Sequence, residues 1–348
     1  MYIKKIQVQN FRNYEKQEVE LDKKINIFYG NNAQGKTNIL EAIFFSAFGK
    51  SFRTSKEKEI IKKDENFSNI NIEYEKKDRS GKISISISDK KNISINGVKI
   101  KKLSELLGNV NIVIFTPDDI NILKDGPQKR RRFLDMMIGQ LRTNYLYNMN
   151  MYLKTLEQRN NYLKQKNINN EMLDIWDEKL AEYGFKIHNY RNEFINKIEE
   201  KIKDIHKNIT NEEIEIKYIS DSSNKEEIIE QLKKKRNTDI FRGYTSVGIH
   251  RDDFKVYINN EEVSIYGSQG QNRTAVLSLK MAELEVINED IGEYPILLLD
   301  DFMSELDEKR ISNFLMNINN IQVIITCTKN MEIKNSKSYE VRQGKIFY

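Results

Sequence analysis

Two short motifs, 264 positions apart, constrain this chain more than any other feature. The first, Gly30-Asn31-Asn32-Ala33-Gln34-Gly35-Lys36-Thr37, fits the pattern G-x-x-x-x-G-K-[ST]. It stands between the apolar run Ile25-Asn26-Ile27-Phe28 and a helix predicted from Thr37 to Phe48, the context a phosphate loop requires. The glycines let successive backbone N–H groups face phosphate oxygens, and the helix N-terminus adds a favourable partial charge. Lys36 is then placed for the β- and γ-phosphates of ATP and the Thr37 hydroxyl for Mg²⁺. An ordinary glycine turn is the competing reading, and the strand-before, helix-after context weighs against it.

The second motif, Pro295-Ile296-Leu297-Leu298-Leu299-Asp300-Asp301, is an apolar run ending in two carboxylates. A buried strand that delivers an acid at its C-terminal end supplies what a phosphate loop lacks. Asp300 is the candidate for the Mg²⁺ shell, and Asp301 for orienting or deprotonating the attacking water. Without the phosphate loop, the same run would read as a buried strand capped by solvated acids. The long separation between Lys36 and Asp300 implies one ATPase sheet assembled from both ends of the chain.

Between the motifs the pattern changes twice. Ile70–Tyr74, Ile83–Ile87 and Ile93–Ile95 alternate as an antiparallel meander, with Asn96-Gly97 as a tight hairpin, and Val110 to Phe115 is a further strand. From about Arg132 to His206 the period becomes helical. Leu173, Trp176, Leu180, Tyr183, Ile187, Tyr190 and Phe194 form one heptad stripe, and Leu141, Tyr145, Met149, Tyr152 and Leu156 form another. A polar run, 164–170, separates them, as in an antiparallel helical arm. The stripes either pack a helical subdomain or face a partner or DNA. A charged stretch from Asn224 to Arg236 follows, and strands resume at 254–258, 296–299 and 323–326. The expected domains are an ATPase head, 1–130 with 242–348, and a mainly helical arm, 131–241.

Composition narrows the chemistry. The 348 residues carry 57 Lys+Arg against 52 Asp+Glu, a net charge of +5 that is compatible with a nucleic-acid partner without requiring one. Mean hydropathy is −0.67, and no window holds the roughly 18 apolar residues of a spanning helix. The first residues alternate like a strand rather than a signal peptide, so a cytoplasmic protein is expected. One cysteine, Cys327, and three scattered histidines, His188, His206 and His250, set aside disulfide and zinc chemistry.

Further segments carry a resemblance. Ser268-Gln269-Gly270-Gln271 looks like the signature motif, and Ser304 to Asp307 like the interface-crossing loop, of the ABC-type ATPase heads of the SMC and Rad50 class. Phe115-Thr116-Pro117-Asp118-Asp119 with Leu123, Gly126, Pro127, Arg130, Arg131, Phe133, Leu134 and Asp135 resembles most closely the RecF family of recombination mediators. So do Gly248-Ile249-His250-Arg251-Asp252-Asp253, Asn10-Phe11-Arg12-Asn13-Tyr14 and Gly49-Lys50-Ser51-Phe52-Arg53-Thr54. The resemblance runs from about residue 3 to 345. Ile249, Asn272 and Lys50 depart from residues common in the family, proline, glutamine and arginine, and none of them removes a phosphate ligand. Thr326-Cys327-Thr328 lacks the γ-phosphate-sensing histidine of ABC transporters, which implies slow hydrolysis.

The resemblance implies an α/β fold, an ABC-type ATPase head with mixed β-sheets and an inserted helical arm. It implies a head-to-tail, ATP-dependent homodimer in which Ser268, Gly270 and Gln271 of one subunit complete the γ-phosphate site of the other. The nucleotide-binding residues carried over are Gly30, Asn31, Asn32, Ala33, Gln34, Gly35, Lys36, Thr37 and Asn38, with Lys36 and Asp301 catalytic and Thr37 and Asp300 on the metal. Implied partners are DNA at double-strand to single-strand junctions, with RecR, RecO and RecA in one pathway of replication and repair. The implied activity is a slow, DNA-stimulated ATPase with no nuclease activity. Competing readings are a nuclease-associated ATPase, a chromosome-organising ATPase and a transporter domain. No second acid cluster supports the first, and an arm of roughly 75 residues in two helices, about half of 11 nm long, is short for the second. The RecF-like stretches and the helical insertion count against the third. Lys129-Arg130-Arg131-Arg132 and Lys233-Lys234-Lys235-Arg236 either contact DNA or, for Arg130 and Arg131, pair with Asp118, Asp119 or Asp252. His250 with Arg251 and Asp252 lacks a nucleophile context and reads as structural.

Overall fold

In the computed structural model, which describes residues 1–301, 320–330 and 333–348, the chain folds into two units. Residues 1–119 and 283–348 form one, and residues 120–282 the other. Contacts thus group 242–282 with the helical unit, because the strand Asp253–Ile258 pairs antiparallel with Ile214–Ile219.

The first unit holds two six-stranded sheets. One is antiparallel, in the order Tyr14–Glu20, Tyr2–Phe11, Ser68–Glu75, Ser80–Ile87, Lys91–Ile95, Val98–Lys99. Alternation sets its faces, as in the strict buried/half-buried pattern of Ser68–Glu75. Asn96 and Gly97, both with positive φ, make the final hairpin. The other sheet runs Lys345–Phe347, Ser336–Arg342, Ile25–Tyr29, Val323–Cys327, Ile296–Leu299, Ile112–Phe115, parallel except for the C-terminal hairpin. Its central strands are continuous apolar runs because both faces are covered. The helix Lys36–Phe48 packs against strands of both sheets, which is why eleven of its thirteen residues are buried. The strand carrying the phosphate loop and the strand carrying the acids flank Val323–Cys327, so residues distant in sequence meet along one sheet edge.

The second unit contains the helices Pro127–Leu141, Thr143–Tyr162, Asn170–Ile209 and Lys225–Arg242, with a three-stranded sheet. The two arm helices, 143–162 and 170–209, pack together, and the second, of 40 residues, extends about 60 Å. The seam departs from the apolar stripes. On the first arm helix the buried residues are Tyr145, Asn148, Tyr152, Thr155 and Arg159, while Met149 and Leu156 are half-exposed. On the second they include Leu173, Asp177, Leu180, Gly184, Ile187 and Arg191, displacing Trp176, Tyr183 and Tyr190 from the seam. The physical reason is pairing across helices. Arg159 reaches Asp177 at 2.8 Å and Asp239 at 3.0 Å, and Arg191 reaches Asp135 at 2.9 Å, so charges fill positions that apolar periodicity assigns to other residues.

The charged stretch from Asn224 is the start of the helix Lys225–Arg242, capped by the Asn224 side chain accepting from Glu227 N–H. The strands Tyr14–Glu20 and Ile214–Ile219 were not anticipated; both are short polar alternations that a sheet neighbour stabilises. No helix of the described residues is long and apolar enough to cross a membrane.

Candidate nucleotide site

The strand Ile25–Tyr29 runs into Gly30, and the chain turns through Ala33 at φ 63° to Gly35, which precedes the helix at φ 116°. Gly30, at φ 148°, is irreplaceable on two counts, since a Cβ there would lie 2.3 Å from the Val341 carbonyl oxygen. Asn31, Asn32 and Ala33 are exposed on the outer arc, which borders an open cleft of about 850 Å³, whereas Lys36 is buried inside the loop. Its Nζ donates to the carbonyls of Gly30 at 2.5 Å and Asn31 at 3.1 Å. Burial lowers its pKa, opposed by the charges of Asp301, Cys327 and Asp300.

The loop is braced from both sides. Asn13 Nδ2 donates to Gln34 O at 2.8 Å and Tyr14 Oη to Gly35 O at 2.9 Å. From the C-terminal hairpin, Gln343 N donates to Gln34 Oε1 at 2.6 Å and Gly344 N to Gln34 O at 3.0 Å. Asn38 Nδ2 donates to Asn13 Oδ1 at 2.7 Å and Asn38 Oδ1 accepts from Arg53 at 2.8 Å, so Asn38 ties the brace to the helix.

Asp300 follows the strand Ile296–Leu299 and is buried. Its Oδ1 accepts from Thr37 Oγ1 and from Thr326 Oγ1, both at 2.8 Å. Burial raises its pKa, the neighbouring Asp301 adds to the rise, and the two hydroxyls oppose it. A buried carboxylate oxygen beside the phosphate-loop hydroxyl, with no ion-pair partner among the described residues, suits a hard divalent cation. Mg²⁺ takes few protein ligands and completes its shell from phosphate and water, and no cluster of three metal-binding side chains is present among the described residues. Asp301 adopts a left-handed φ of 45° directly after the strand, with its N–H donated to Thr326 Oγ1 at 2.9 Å. The structure therefore brings Gly30 to Asn38, Asp300 and Asp301 together in one unit.

Ser268, Gly270 and Gln271 lie in the other unit, at the exposed start of the helix Gln269–Ile291. They form a reciprocal cap. Ser268 N donates to Gln271 Oε1 at 2.9 Å, and Gln271 N donates to Ser268 Oγ at 3.2 Å. Gln271 Nε2 is held by Glu212 at 2.6 Å, and Asn272 Nδ2 by the carbonyls of Gly267 and Ser268, each at 3.0 Å. A Cβ at Gly270 would make only an ordinary contact, with Ser268 Oγ at 3.9 Å. The result is a fixed helix N-terminus presenting N–H groups to solvent, suited to an anion.

Residues 2–345 match the family described as the RecF/RecN/SMC N terminal domain. DNA replication and repair protein RecF of Clostridium perfringens is 47% identical over 99% of both chains, and that of Clostridium botulinum is 48% identical over 99% of both. The chain belongs to the RecF family. A solved structure of the recombination mediator protein RecF with ATP, in the RecFOR pathway, is 39% identical, with a TM-score of 0.95 over 99% of this chain and 97% of that one. An Smc head bound to the C-winged helix domain of ScpA, 16% identical over 99% of this chain and 96% of that one, shares the fold at a TM-score of 0.59. This RecF-family chain is thus an ABC-type ATPase with an SMC-like head.

The family segments have definite places in the RecF-family fold. Glu41, fully buried in the phosphate-loop helix, accepts from Arg12 at 2.6 and 2.9 Å, from Ser51 Oγ at 2.5 Å and from Arg53 at 3.3 Å. That hub gathers the segments around Arg12 and Ser51. Glu41 was not singled out in the sequence, and Thr326 was read only as the end of a strand without a sensing histidine, not as the partner of Asp300; for Glu41 the signal available was a polar residue inside an otherwise apolar run. Arg130 is buried and forks onto Asp253 at 2.7 and 2.8 Å, with a third nitrogen on the carbonyls of Leu123 and Asp125, so it faces the protein rather than DNA. Its acid is Asp253, not Asp118, Asp119 or Asp252. Arg131 donates to the Asp252 carbonyl at 2.7 Å, and Arg236 pairs with Asp174 and Asp177, both at 2.6 Å. His250 is structural. Its ring joins Tyr152 Oη at 2.8 Å and the Thr245 carbonyl at 3.2 Å, and burial pushes its pKa down to about 4. Ser304 to Asp307 lie outside the described residues.

Proposed function

We propose that this chain is an ATP-gated DNA-binding protein that dimerises on ATP, binds junctions between double and single strands, and with RecR and RecO helps load RecA at gaps. The carrying observation is the 2.8 Å contact between Thr37 Oγ1 and Asp300 Oδ1, which joins the two motifs into one half-site. Gly30 to Asn38 cradle the phosphates. Lys36 leaves the loop carbonyls for the β- and γ-phosphate oxygens, whose negative charge is the stronger partner. Mg²⁺, when bound, neutralises charge developing on the phosphates, and Thr37 and Asp300 hold it. Asp301 orients the attacking water, its backbone tied to Thr326.

Ser268, Gly270 and Gln271 of a second copy supply the remaining donors to the γ-phosphate. An uncompensated γ-phosphate finds them only when the partner docks, so ATP closes the dimer and hydrolysis releases it. Slow, DNA-stimulated hydrolysis follows from a half-site that waits for its partner, and no nuclease activity is expected.

The test is molar mass in solution with Mg²⁺–ATP, with and without duplex DNA, for wild type, Lys36→Met, Asp301→Asn and Ser268→Arg. Dimers trapped by Asp301→Asn and abolished by the other two variants support the composite site. A monomer that hydrolyses ATP identically in all four refutes it.

A further inference from the structure

The side chain that holds the turn 268–271 comes from the end of the long arm helix. Asn170–Ile209 closes at Thr210, whose N–H donates to the His206 carbonyl at 2.9 Å, and Glu212 stands two residues further on. The next residue, Glu213, is tied to Asn259. Its N–H donates to Asn259 Oδ1 at 3.1 Å, and its carbonyl accepts from Asn259 N–H at 3.0 Å. Glu212 is thus pinned on both sides along the chain. One of its carboxylate oxygens accepts from Gln271 Nε2 at 2.6 Å and the other from Thr210 Oγ1 at 3.4 Å. Glu212, Ser268 and Gln271 all belong to one unit.

The reciprocal cap between Ser268 and Gln271 is complete without this carboxylate, so helix capping does not explain it. A carboxamide has two unlike ends, and a carboxylate accepts only from the NH₂ end. With Nε2 on Glu212, Gln271 Oε1 is fixed toward Ser268 N–H. Ser268 Oγ in turn accepts from Gln271 N–H, which leaves the hydroxyl hydrogen to be donated elsewhere. The N–H groups of Gln269 and Gly270 precede the first intrahelical bond, from Asn272 N–H to the Ser268 carbonyl at 2.9 Å, and Gln271 Nε2 keeps a second hydrogen. These are the donors an anion meets, and the Gln271 carboxamide sets their aim.

A second anchor lies seven residues along the same helix. His206 Nδ1 and Ser278 Oγ are 2.9 Å apart, and both residues are fully buried. Burial lowers the His206 pKa, which keeps the ring neutral and the pair uncharged. Ser278 follows Gln271 by two turns, so both point from one face of the helix. Two polar contacts about 10 Å apart along the axis fix the rotation and the axial position of this helix against the end of the arm.

We propose that Glu212 is a positioning residue for ATP hydrolysis: by holding Gln271 it aims the donors of the turn 268–271 at the γ-phosphate bound by a second copy. It acts through Gln271 and not on the nucleotide, and it joins the arm helix to the composite site. The inference rests on the composite-site reading of Ser268.

Full-length wild type, Glu212→Ala, Glu212→Gln and Ser268→Arg are compared in Tm, in Kd for Mg²⁺–ATP in dilute, monomeric protein, in molar mass with Mg²⁺–ATP, and in kcat. Glu212→Ala should lower kcat about 10- to 100-fold and weaken the ATP-dependent dimer. Its Kd should stay unchanged, because the phosphate loop belongs to the other unit. Glu212→Gln, which retains an acceptor oxygen for Gln271 Nε2, should recover most of the loss. A contact that served folding alone would lower Tm and leave dimerisation and kcat of the folded protein intact. Wild-type kcat and dimerisation in Glu212→Ala overturn the assignment, as does a Glu212→Gln variant no better than Glu212→Ala. An inactive Ser268→Arg in that case confines the failure to Glu212; a Ser268→Arg that also behaves as wild type refutes the composite site as well.

Discussion

Removing the Glu41 carboxylate tests how far the phosphate loop depends on a charge beneath it. The carboxylate is fully buried, and Arg12 forks onto both of its oxygens while donating a third hydrogen bond to the Glu59 carbonyl at 2.7 Å. Breaking a buried pair by deleting one partner costs about 3–5 kcal/mol, because the remaining charge stays desolvated. Arg12 is 18% exposed and recovers some hydration, which places Glu41→Ala at the lower end, about 3 kcal/mol. The Arg53 contact, with Arg53 44% exposed, adds at most about 1 kcal/mol. For a unit of this size the loss corresponds to a Tm drop of roughly 6–12 °C. Urea unfolding followed by circular dichroism would give the free energy, and the double variant Arg12→Ala/Glu41→Ala should be less destabilised than the sum of the singles by about 2 kcal/mol. Because Asn13 and Tyr14 adjoin Arg12 and brace Gln34 and Gly35, Glu41→Ala should also shrink the thermal shift given by Mg²⁺–ATP. Singles within about 0.5 kcal/mol of wild type, or strict additivity, would refute the reasoning.

Three further outcomes are expected. Asp300→Asn should raise Tm without nucleotide at neutral pH yet abolish stabilisation by Mg²⁺–ATP. With its folded pKa raised, Asp300 favours folding below its ordinary value of 3.8 and opposes it as pH rises through the folded value; an unchanged Tm would count against a desolvated carboxylate. Gly30→Ala should eliminate ATP binding, read by calorimetry, since its Cβ meets a backbone carbonyl at 2.3 Å; wild-type affinity would show that the loop can move aside. His250, with its pKa depressed from 6.5 to about 4, contributes stability that is complete above pH 6.5 and is lost as pH falls toward 4, about 3 kcal/mol in all. An NMR titration of the His250 ring that turned over near pH 6.5 would contradict this.

Much of the site was legible in sequence because its determinants are local. Gly30, Gly35, Lys36 and Thr37 act through a turn whose geometry nearby residues set, and the runs ending at Asp300 and Thr326 announce buried parallel strands by apolar continuity. Alternation gave the meander, and Asn96-Gly97 gave its hairpin. The arm showed the limit of periodicity. Apolar spacing favoured Met149 and Leu156, but the seam went to Asn148, Thr155 and Arg159, since the acids that make an arginine burial tolerable lie on other helices. Likewise, four consecutive basic residues at 129–132 look equivalent along the chain. Arg130 alone forks onto Asp253, 123 positions away, with its charge, and that selection exists only once the strand and helix have packed. The sequence by itself determined the motifs, the periods and hence the class of fold. The tertiary structure decided which polar side chains meet, because burial of a charge depends on a partner that no local pattern specifies. The oxygen pair of Thr37 and Asp300 belongs to both: each residue is readable alone, and only the sheet order places them 2.8 Å apart.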